Sequence, residues 1–176
     1  KAIIPKKAAH EMRRLLEEGG DGEPLIGFTK NLMIFRKSGL LLTSRLMEGN
    51  YPNYQQVIPK ESNKNIVVQR TELESALRRV SVLSKDKANA VKLSCAAGRL
   101  TLFSSNPDYG EATEEIAAQY EGETLNTGFN ARYMLDVFDV MDGEKISLQM
   151  ESALSPCLIQ EAESPGFKCV VMPIKI

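Results

Sequence analysis

Covalent or metal chemistry in this 176-residue chain would have to come from Cys95, Cys157, Cys169 and the single His10. A cysteine attacks as its thiolate and needs a base, with a further group to orient that base. A structural metal needs several Cys or His side chains at short spacing. The cysteines instead sit in apolar, strand-like surroundings with no C-x-x-C spacing. His10 has no companion ligand, and there is no H-x-x-x-H pair and no glycine-rich phosphate loop. An enzyme built on Cys157 or Cys169 with His10 is the rival class, and it lacks the orienting group. The expectation is therefore no catalytic residue, no disulfide, no metal and no cofactor, with the cysteines as small core residues. The remaining chemistry is that of contact, between cationic helix faces and apolar strands.

The elements that position those contacts follow from composition and periodicity. A chain with 43% hydrophobic residues can bury a core. It has no apolar run near the roughly 20 residues of a membrane span, and its start lacks the plan of a signal peptide. A cytoplasmic protein is expected. The 22 Lys and Arg against 23 Asp and Glu, net −1, are not the basic excess of a tight duplex binder.

Ala2-Ile3-Ile4-Pro5 reads as a strand end entering a helix, so the chain is expected to begin within a domain. Ala8, Met12, Leu15 and Leu16 at helical spacing predict a helix over 6–18, stopped by Gly19-Gly20-Asp21-Gly22. Strands are expected over 25–29, 32–35, 40–45 and 55–58, with Lys37-Ser38-Gly39 as a turn. The polar stretch 60–64 is the expected domain boundary. A strand over 66–69 leads to a helix over 71–83, with Thr71 and Glu74 as a capping box and Leu73, Ala76, Leu77 and Val80 as its buried stripe. Val91, Leu93 and Cys95 alternate outward and Leu100 and Leu102 alternate back, a hairpin turning at Ala97-Gly98. Strands over 112–120 and 124–129 precede a third helix, capped by Asn130 and running through Met134, Leu135, Phe138 and Met141 to Gly143. Strands over 146–150, 157–162 and 167–172 close the chain. The order of elements suggests a weak internal repeat of three helix-and-sheet half-units.

Three segments carry a resemblance: Ser44-Arg45-Leu46-Met47-Glu48-Gly49-Asn50-Tyr51-Pro52, Gly128-Phe129-Asn130-Ala131-Arg132-Tyr133-Met134-Leu135-Asp136-Val137, and Val170-Val171-Met172-Pro173 near the C-terminus. In this order and spacing they resemble the bacterial DNA polymerase III beta subunit family, the sliding clamps, along essentially the whole chain. The resemblance implies an α+β clamp fold, with helices lining a DNA channel and antiparallel sheets outside. About one and a half clamp domains are implied: residues 1–60 as the second half of a middle domain and 61–176 as a third domain. The implied function is that of a non-catalytic processivity factor, a homodimeric ring sliding on duplex DNA without reading sequence.

Clamps bind linear motifs of the polymerase alpha subunit, the clamp-loader delta subunit and repair polymerases in a pocket between middle and third domains. The matching positions here are Pro52, Gln56, Val57, Asn130, Tyr133, Leu154, Pro156, Val170, Met172, Pro173, Ile174, Lys175 and Ile176. The resemblance also places Lys6, Lys7, Arg13, Arg14, Arg78, Arg79 and Arg132 toward DNA as phosphate contacts. Arg13 with Glu17, and Arg78 with Glu74, stand equally well at ion-pair spacing. Val82 and Leu83, with Asp108, Glu111, Glu114 and Glu115, match the head-to-tail subunit contact. Two departures bear on the pocket: Gln56 stands where many relatives have Arg, and the chain ends Ile-Lys-Ile where Met-Arg-Leu is familiar. The pocket wall supplied by an upstream loop precedes residue 1. A clamp-like interaction module that never touches DNA is the alternative function.

Overall fold

The computed structural model describes residues 2–18, 20–51, 53–59, 62–84, 89–163 and 166–175. They form two compact units that divide between Asn53 and Tyr54. The expected boundary at residues 60–64 begins with Lys60 and Glu61, which lie outside the described residues.

In the first unit, helix α1 (Lys6–Glu18) precedes an antiparallel meander of β1 (Leu25–Phe28), β2 (Leu32–Lys37) and β3 (Leu40–Arg45). Ser38 and Gly39 connect β2 to β3 with φ of 46° and 82°, the two left-handed residues that a tight hairpin requires. The core is small: Ala8, Met33 and Phe35 are buried, with Ile4, Met12, Leu15, Leu42 and Leu46 against them. Lys37 is buried too, and its Nζ donates to the Leu16 carbonyl (2.8 Å). That places a cation among the unpaired carbonyls at the C-terminal end of α1, where the helix dipole favours it.

The second unit opens with a single 3-10 turn at Tyr54–Gln56. A strand was expected over 55–58. The segment folds back on itself instead, the Val57 N–H donating to the Tyr54 carbonyl (3.1 Å), and among the described residues it pairs with no other strand. After it come β4 (Lys64–Gln69), α2 (Arg70–Val80), β5 (Ala90–Ala96), β6 (Arg99–Asn106), β7 (Gly110–Ala117), β8 (Leu125–Asn130), α3 (Ala131–Phe138), β9 (Lys145–Met150), β10 (Cys157–Glu161) and β11 (Lys168–Val171). The strands form two four-stranded antiparallel sheets, ordered β7-β6-β5-β8 and β11-β10-β9-β4. Each sheet thus takes three strands from one half of the unit and the strand leading the other half's helix.

The stripe Leu73, Ala76, Leu77 and Val80 is fully buried, at the i, i+3, i+4, i+7 spacing of a core-facing helix. It joins Met134, Val137 and Phe138 of α3 and the inner faces of both sheets in one core. The expected capping box fails: Gln69 is the N-cap of α2 and no side chain caps it. Strand β4 runs directly into the helix, and the first helical N–H, of Arg70, donates to the Glu144 carbonyl (2.8 Å), so the helix starts at Arg70 and Thr71 lies within its first turn instead of at the N-cap. Glu74 is occupied by Arg70 and Arg78. Asn130 does cap α3, its Oδ1 accepting from the N–H groups of Arg132 (2.9 Å) and Tyr133 (3.3 Å). That helix ends at Phe138, short of Gly143, because the Glu161 carboxylate takes the N–H groups of Asp142 (3.0 Å) and Gly143 (2.9 Å) and turns the chain toward β9. Asn130→Ala is expected to cost about 1 kcal/mol, read as a lower denaturant midpoint with an unchanged slope.

The internal repeat acquires a register. In each half-unit the residue three places before the helix bonds to the chain just beyond the third strand. Ile3 precedes Lys6 and its carbonyl accepts from the Met47 N–H (2.9 Å). Val67 precedes Arg70 and exchanges both backbone bonds with Gln119 (3.1 and 2.8 Å). Gly128 precedes Ala131 and accepts from the Ile174 N–H (2.7 Å).

Candidate functional site

The C-terminal tail is fixed against β8 by that Ile174 to Gly128 bond. Beside it, Ser155 Oγ accepts from the N–H groups of Glu151 (3.0 Å) and Ser152 (2.8 Å), closing a turn that presents Ala153 and Leu154. Thr127 Oγ1 donates to the Ala153 carbonyl (2.8 Å) and ties this turn to β8. Tail, turn and strand enclose an open groove of about 310 Å³ lined by Lys92, Asn126, Thr127, Gly128, Ala153, Leu154, Ile174 and Lys175. Leu154 is 64% exposed, so an apolar side chain entering here would cover surface that water now covers. Lys92 and Lys175 place two ammonium groups among the same walls.

Of the sequence-assigned pocket residues, the structure brings Leu154, Ile174 and Lys175 together in this groove. Gln56, at the end of the 3-10 turn, and Val57, just after it, are exposed and are not among its lining residues. Tyr133 and Met172 are large exposed side chains, 60% and 58% accessible, on α3 and just past β11. Val170, Pro156 and Pro173 are half-buried. Asn130 has its Oδ1 committed to the helix cap, which leaves its amide nitrogen for any outside acceptor. Pro52 and Ile176 lie outside the described residues.

Lys92, Asn126, Thr127 and Ala153 were not singled out from the sequence. The outward position of Lys92 between Val91 and Leu93 was readable. Its pairing opposite Gly128 is a long-range register that no local pattern gives.

The cationic helix faces are largely neutralised. Arg14 bonds Glu11 (2.8 Å) and Glu18 (3.1 Å), and Arg13 lies 3.8 Å from Glu17. Arg78 bridges Glu74 (2.8 Å) and Asp139 (3.1 Å). Arg79, assigned to DNA, and Glu114, assigned to the subunit contact, form one forked pair, with Nη2 to Oε2 at 2.7 Å. Its hydrogen bonds hold the Glu114 carboxyl below the usual carboxylate range. Lys6, Lys7 and Arg132 are exposed and have no ion pair among the described residues.

On the other border, Val82 is 59% exposed and Leu83 half-buried, its carbonyl accepting from Asn106 Nδ2 (3.1 Å). Asp108 and Glu111 are exposed, the latter on β7, the end strand of its sheet. Glu115 is exposed too, 3.8 Å from Arg99.

The cysteines behave as buried thiols. Burial pushes Cys95 from 9.0 up to about 11 and Cys157 up to about 12, and raises Cys169 as well. Neutral thiols are poor nucleophiles. Among the described residues no three His, Cys, Asp or Glu side chains could hold a metal. Because the folded-state values are raised, the thiols' contribution to stability is complete below pH 9 and is lost as pH rises toward 11 to 12. The expected result is a falling unfolding midpoint above pH 9, with a shallower fall in Cys157→Val. At pH 8 iodoacetamide should modify Cys169 before Cys95 or Cys157.

Residues 55–175 match the family described as the DNA polymerase III beta subunit, C-terminal domain. The beta sliding clamp of Pseudomonas putida is 36% identical over 174 residues, 99% of this chain and 47% of that protein. The beta sliding clamp of Escherichia coli is 30% identical over the same share of this chain and 47% of its own. Among solved structures, the sliding clamp of Bartonella birtlesii bound to griselimycin superposes with a TM-score of 0.93 at 36% identity, covering 99% of this chain and 47% of that one. The DNA polymerase III subunit beta of Pseudomonas aeruginosa gives 0.93 at 32% identity, covering 99% and 48%. The chain therefore spans about half the length of these relatives. Among the described residues no helix is long and apolar enough to cross a membrane.

Proposed function

This chain belongs to the DNA polymerase III beta subunit family, and from that we propose that the whole protein is a sliding clamp, the processivity factor of a bacterial replicative polymerase. It encircles duplex DNA as a head-to-tail homodimer in the cytoplasm and carries out no catalysis of its own. Residues 61–176 are its third clamp domain and residues 1–60 half of its middle domain. The observation that carries the reading is the tail groove: a C-terminal segment tied to Gly128, with Leu154 and Ile174 for an apolar anchor and Lys92 and Lys175 for an acidic neighbour. Polymerase alpha subunit, clamp-loader delta subunit and repair polymerases are the partners, through short motifs with Leu or Phe anchors.

The test is titration of a labelled Gln-Leu-x-Leu-Phe peptide, with its Leu/Phe-to-Ala version as control, against this chain and the full-length protein. Saturable binding that the control lacks supports the reading, and absence from both proteins overturns it. Lys175→Glu should weaken an acidic-flanked peptide about three- to tenfold at low salt and less at high salt.

A second reading, a clamp-like interaction module that never meets DNA, draws on the ion pairs of Arg13, Arg14, Arg78 and Arg79 and the net charge of −1. Loading of the full-length protein on closed circular duplex decides between them. Retention that is lost on linearisation is the signature of a ring. Within the clamp reading Lys6, Lys7 and Arg132 are the cations free for phosphate, and charge reversal of all three should shorten retention more than reversal of Arg13 and Arg14.

A further inference from the structure

The register that builds the tail groove builds a second groove in the same unit. In the half-unit of α3, the leading strand, the turn of the first hairpin and the chain beyond the third strand meet at one corner. There they supply Asn126, Thr127 and Gly128, then Ala153 and Leu154, then Ile174 and Lys175, the walls of the tail groove. The half-unit of α2 brings the same three pieces together. Asn65 and Val67 come from the leading strand, Ala97 and Gly98 from the hairpin turn, and 118–121 from the chain beyond β7, around an open groove of about 680 Å³ against about 310 Å³ at the tail. Val67 bonds Gln119 as Gly128 bonds Ile174. Asn65 and Asn126 each stand two places before that bond.

The two grooves differ in charge and in size. Lys92 lies opposite Gly128 and corresponds to Ser147 opposite Val67, while Lys175 corresponds to Tyr120, so neither cation recurs. Tyr120 is buried and its hydroxyl donates to the Glu123 carbonyl (2.7 Å), which fixes that wall. Among the lining residues of the second groove the charged one is Glu121, and it is exposed. Where the tail groove has Leu154, this one has Ala97 and Gly98, with Ala118 and Val67 beside them, side chains short enough to leave room for a bulky apolar group. Val67 turns both backbone groups to Gln119, and alternate residues of a strand face the same edge, so Asn65 presents its N–H and C=O along the groove. Its Oδ1 accepts from Ser147 Oγ (2.7 Å), which leaves the amide nitrogen as a donor.

We propose that this groove is a second peptide site, taking an extended segment of a partner protein with one aromatic residue between Lys or Arg residues. The ring sits against Ala97, Gly98 and Ala118, the backbone lies along the Asn65 edge, and the cations face Glu121, with the exposed Glu123 two residues on. This charge preference is opposite to that of the tail groove, so the two grooves select different segments. The proposal rests on the internal register and not on the clamp reading, so either can fail without the other.

The experiment titrates the isotope-labelled 176-residue chain with acetyl-Arg-Trp-Arg-amide and follows its amide resonances. Saturable shifts are expected at Asn65, Gly98, Gln119 and Glu121, with Thr127, Leu154 and Ile174 unmoved. Acetyl-Glu-Trp-Glu-amide and acetyl-Arg-Ala-Arg-amide should each bind at least about tenfold more weakly. Glu121→Lys should weaken the Arg-Trp-Arg peptide about three- to tenfold at low salt and less at high salt. Ala97→Trp, at a turn position outside the left-handed region, should fill the seat and abolish the shifts without changing the unfolding midpoint. Should that variant not fold, Glu121→Lys carries the test alone. The Gln-Leu-x-Leu-Phe peptide, added to the same sample, should move Thr127, Leu154 and Ile174 instead, so failure of the tail site and failure of this one are seen separately. Absence of saturable shifts at the four amides overturns the proposal. Equal affinity for the Arg-Trp-Arg and Glu-Trp-Glu peptides, or shifts centred on the tail groove, also overturns it.

Discussion

Truncation after Val171 is expected to reduce affinity for the Leu/Phe motif peptide about 100-fold while leaving the second unit folded. The tail reaches the groove as backbone and side chain together: Ile174 and Lys175 line it, and the Ile174 N–H fixes the segment on Gly128. Removing them opens one wall, so an apolar anchor loses its desolvated seat along with the rim cation beside it. A 100-fold loss corresponds to about 3 kcal/mol, the size of a well-packed anchor contact. Stability should fall far less. Pro173 and Ile174 are only half-buried, Met172 and Lys175 are exposed, and among the described residues the deletion surrenders the Ile174 to Gly128 backbone bond, worth about 1 kcal/mol. Isothermal titration beside a denaturant curve separates the two quantities. Binding retained within about threefold would move the site away from the tail. Collapse of the curve would make the tail a part of the fold instead. Tyr133→Ala and Met172→Ala, on exposed side chains outside the groove lining, should each cost less than the truncation.

Much of the second unit was legible because its sequence obeys single-element rules. Leu73, Ala76, Leu77 and Val80 repeat at the helical period, and Val91, Leu93 and Cys95 alternate at the strand period. All seven are buried. Asn130 stood before a helix and caps it. Two of the misses, the cap of α2 and the end of α3, lie where tertiary contacts replace local ones. Thr71 and Glu74 have the spacing of a capping box, yet the helix start is satisfied by the Glu144 carbonyl from across the sheet. Gln55–Ile58 has strand composition but, among the described residues, no strand pairs with it.

The candidate site divides along the same line. Residues that a motif could carry, Leu154, Ile174 and Lys175, do meet, whereas Lys92 and Thr127 enter through the β5 to β8 register, which joins positions far apart in sequence. Charges were the least legible of all. Helical spacing offered ion pairs and phosphate contacts equally for Arg13 and Arg78, and nothing local announced that Arg79 would reach Glu114 on a distant strand.

Phe138→Ala is expected to destabilise the second unit by about 3 to 5 kcal/mol, the largest effect of any single substitution considered. Phe138 ends α3 with no solvent exposure, inside the one core formed by α2, α3 and both sheets. Truncation there removes most of a ring's buried surface and leaves a cavity in a core held by two helices and two sheets, which relaxes little. Against the 5 to 15 kcal/mol typical of a domain, that leaves a fold close to its limit. The denaturant midpoint should drop with the slope unchanged. The same variant separates folding from recognition, because Tyr133 lies on the same helix but points to solvent. Where the variant is still folded its peptide affinity should stay within about threefold of the parent, since no groove-lining residue has changed. A loss under 1 kcal/mol would mean that α3 is not part of the cooperative core. A larger loss of affinity with the fold intact would place the groove under the control of that helix's packing.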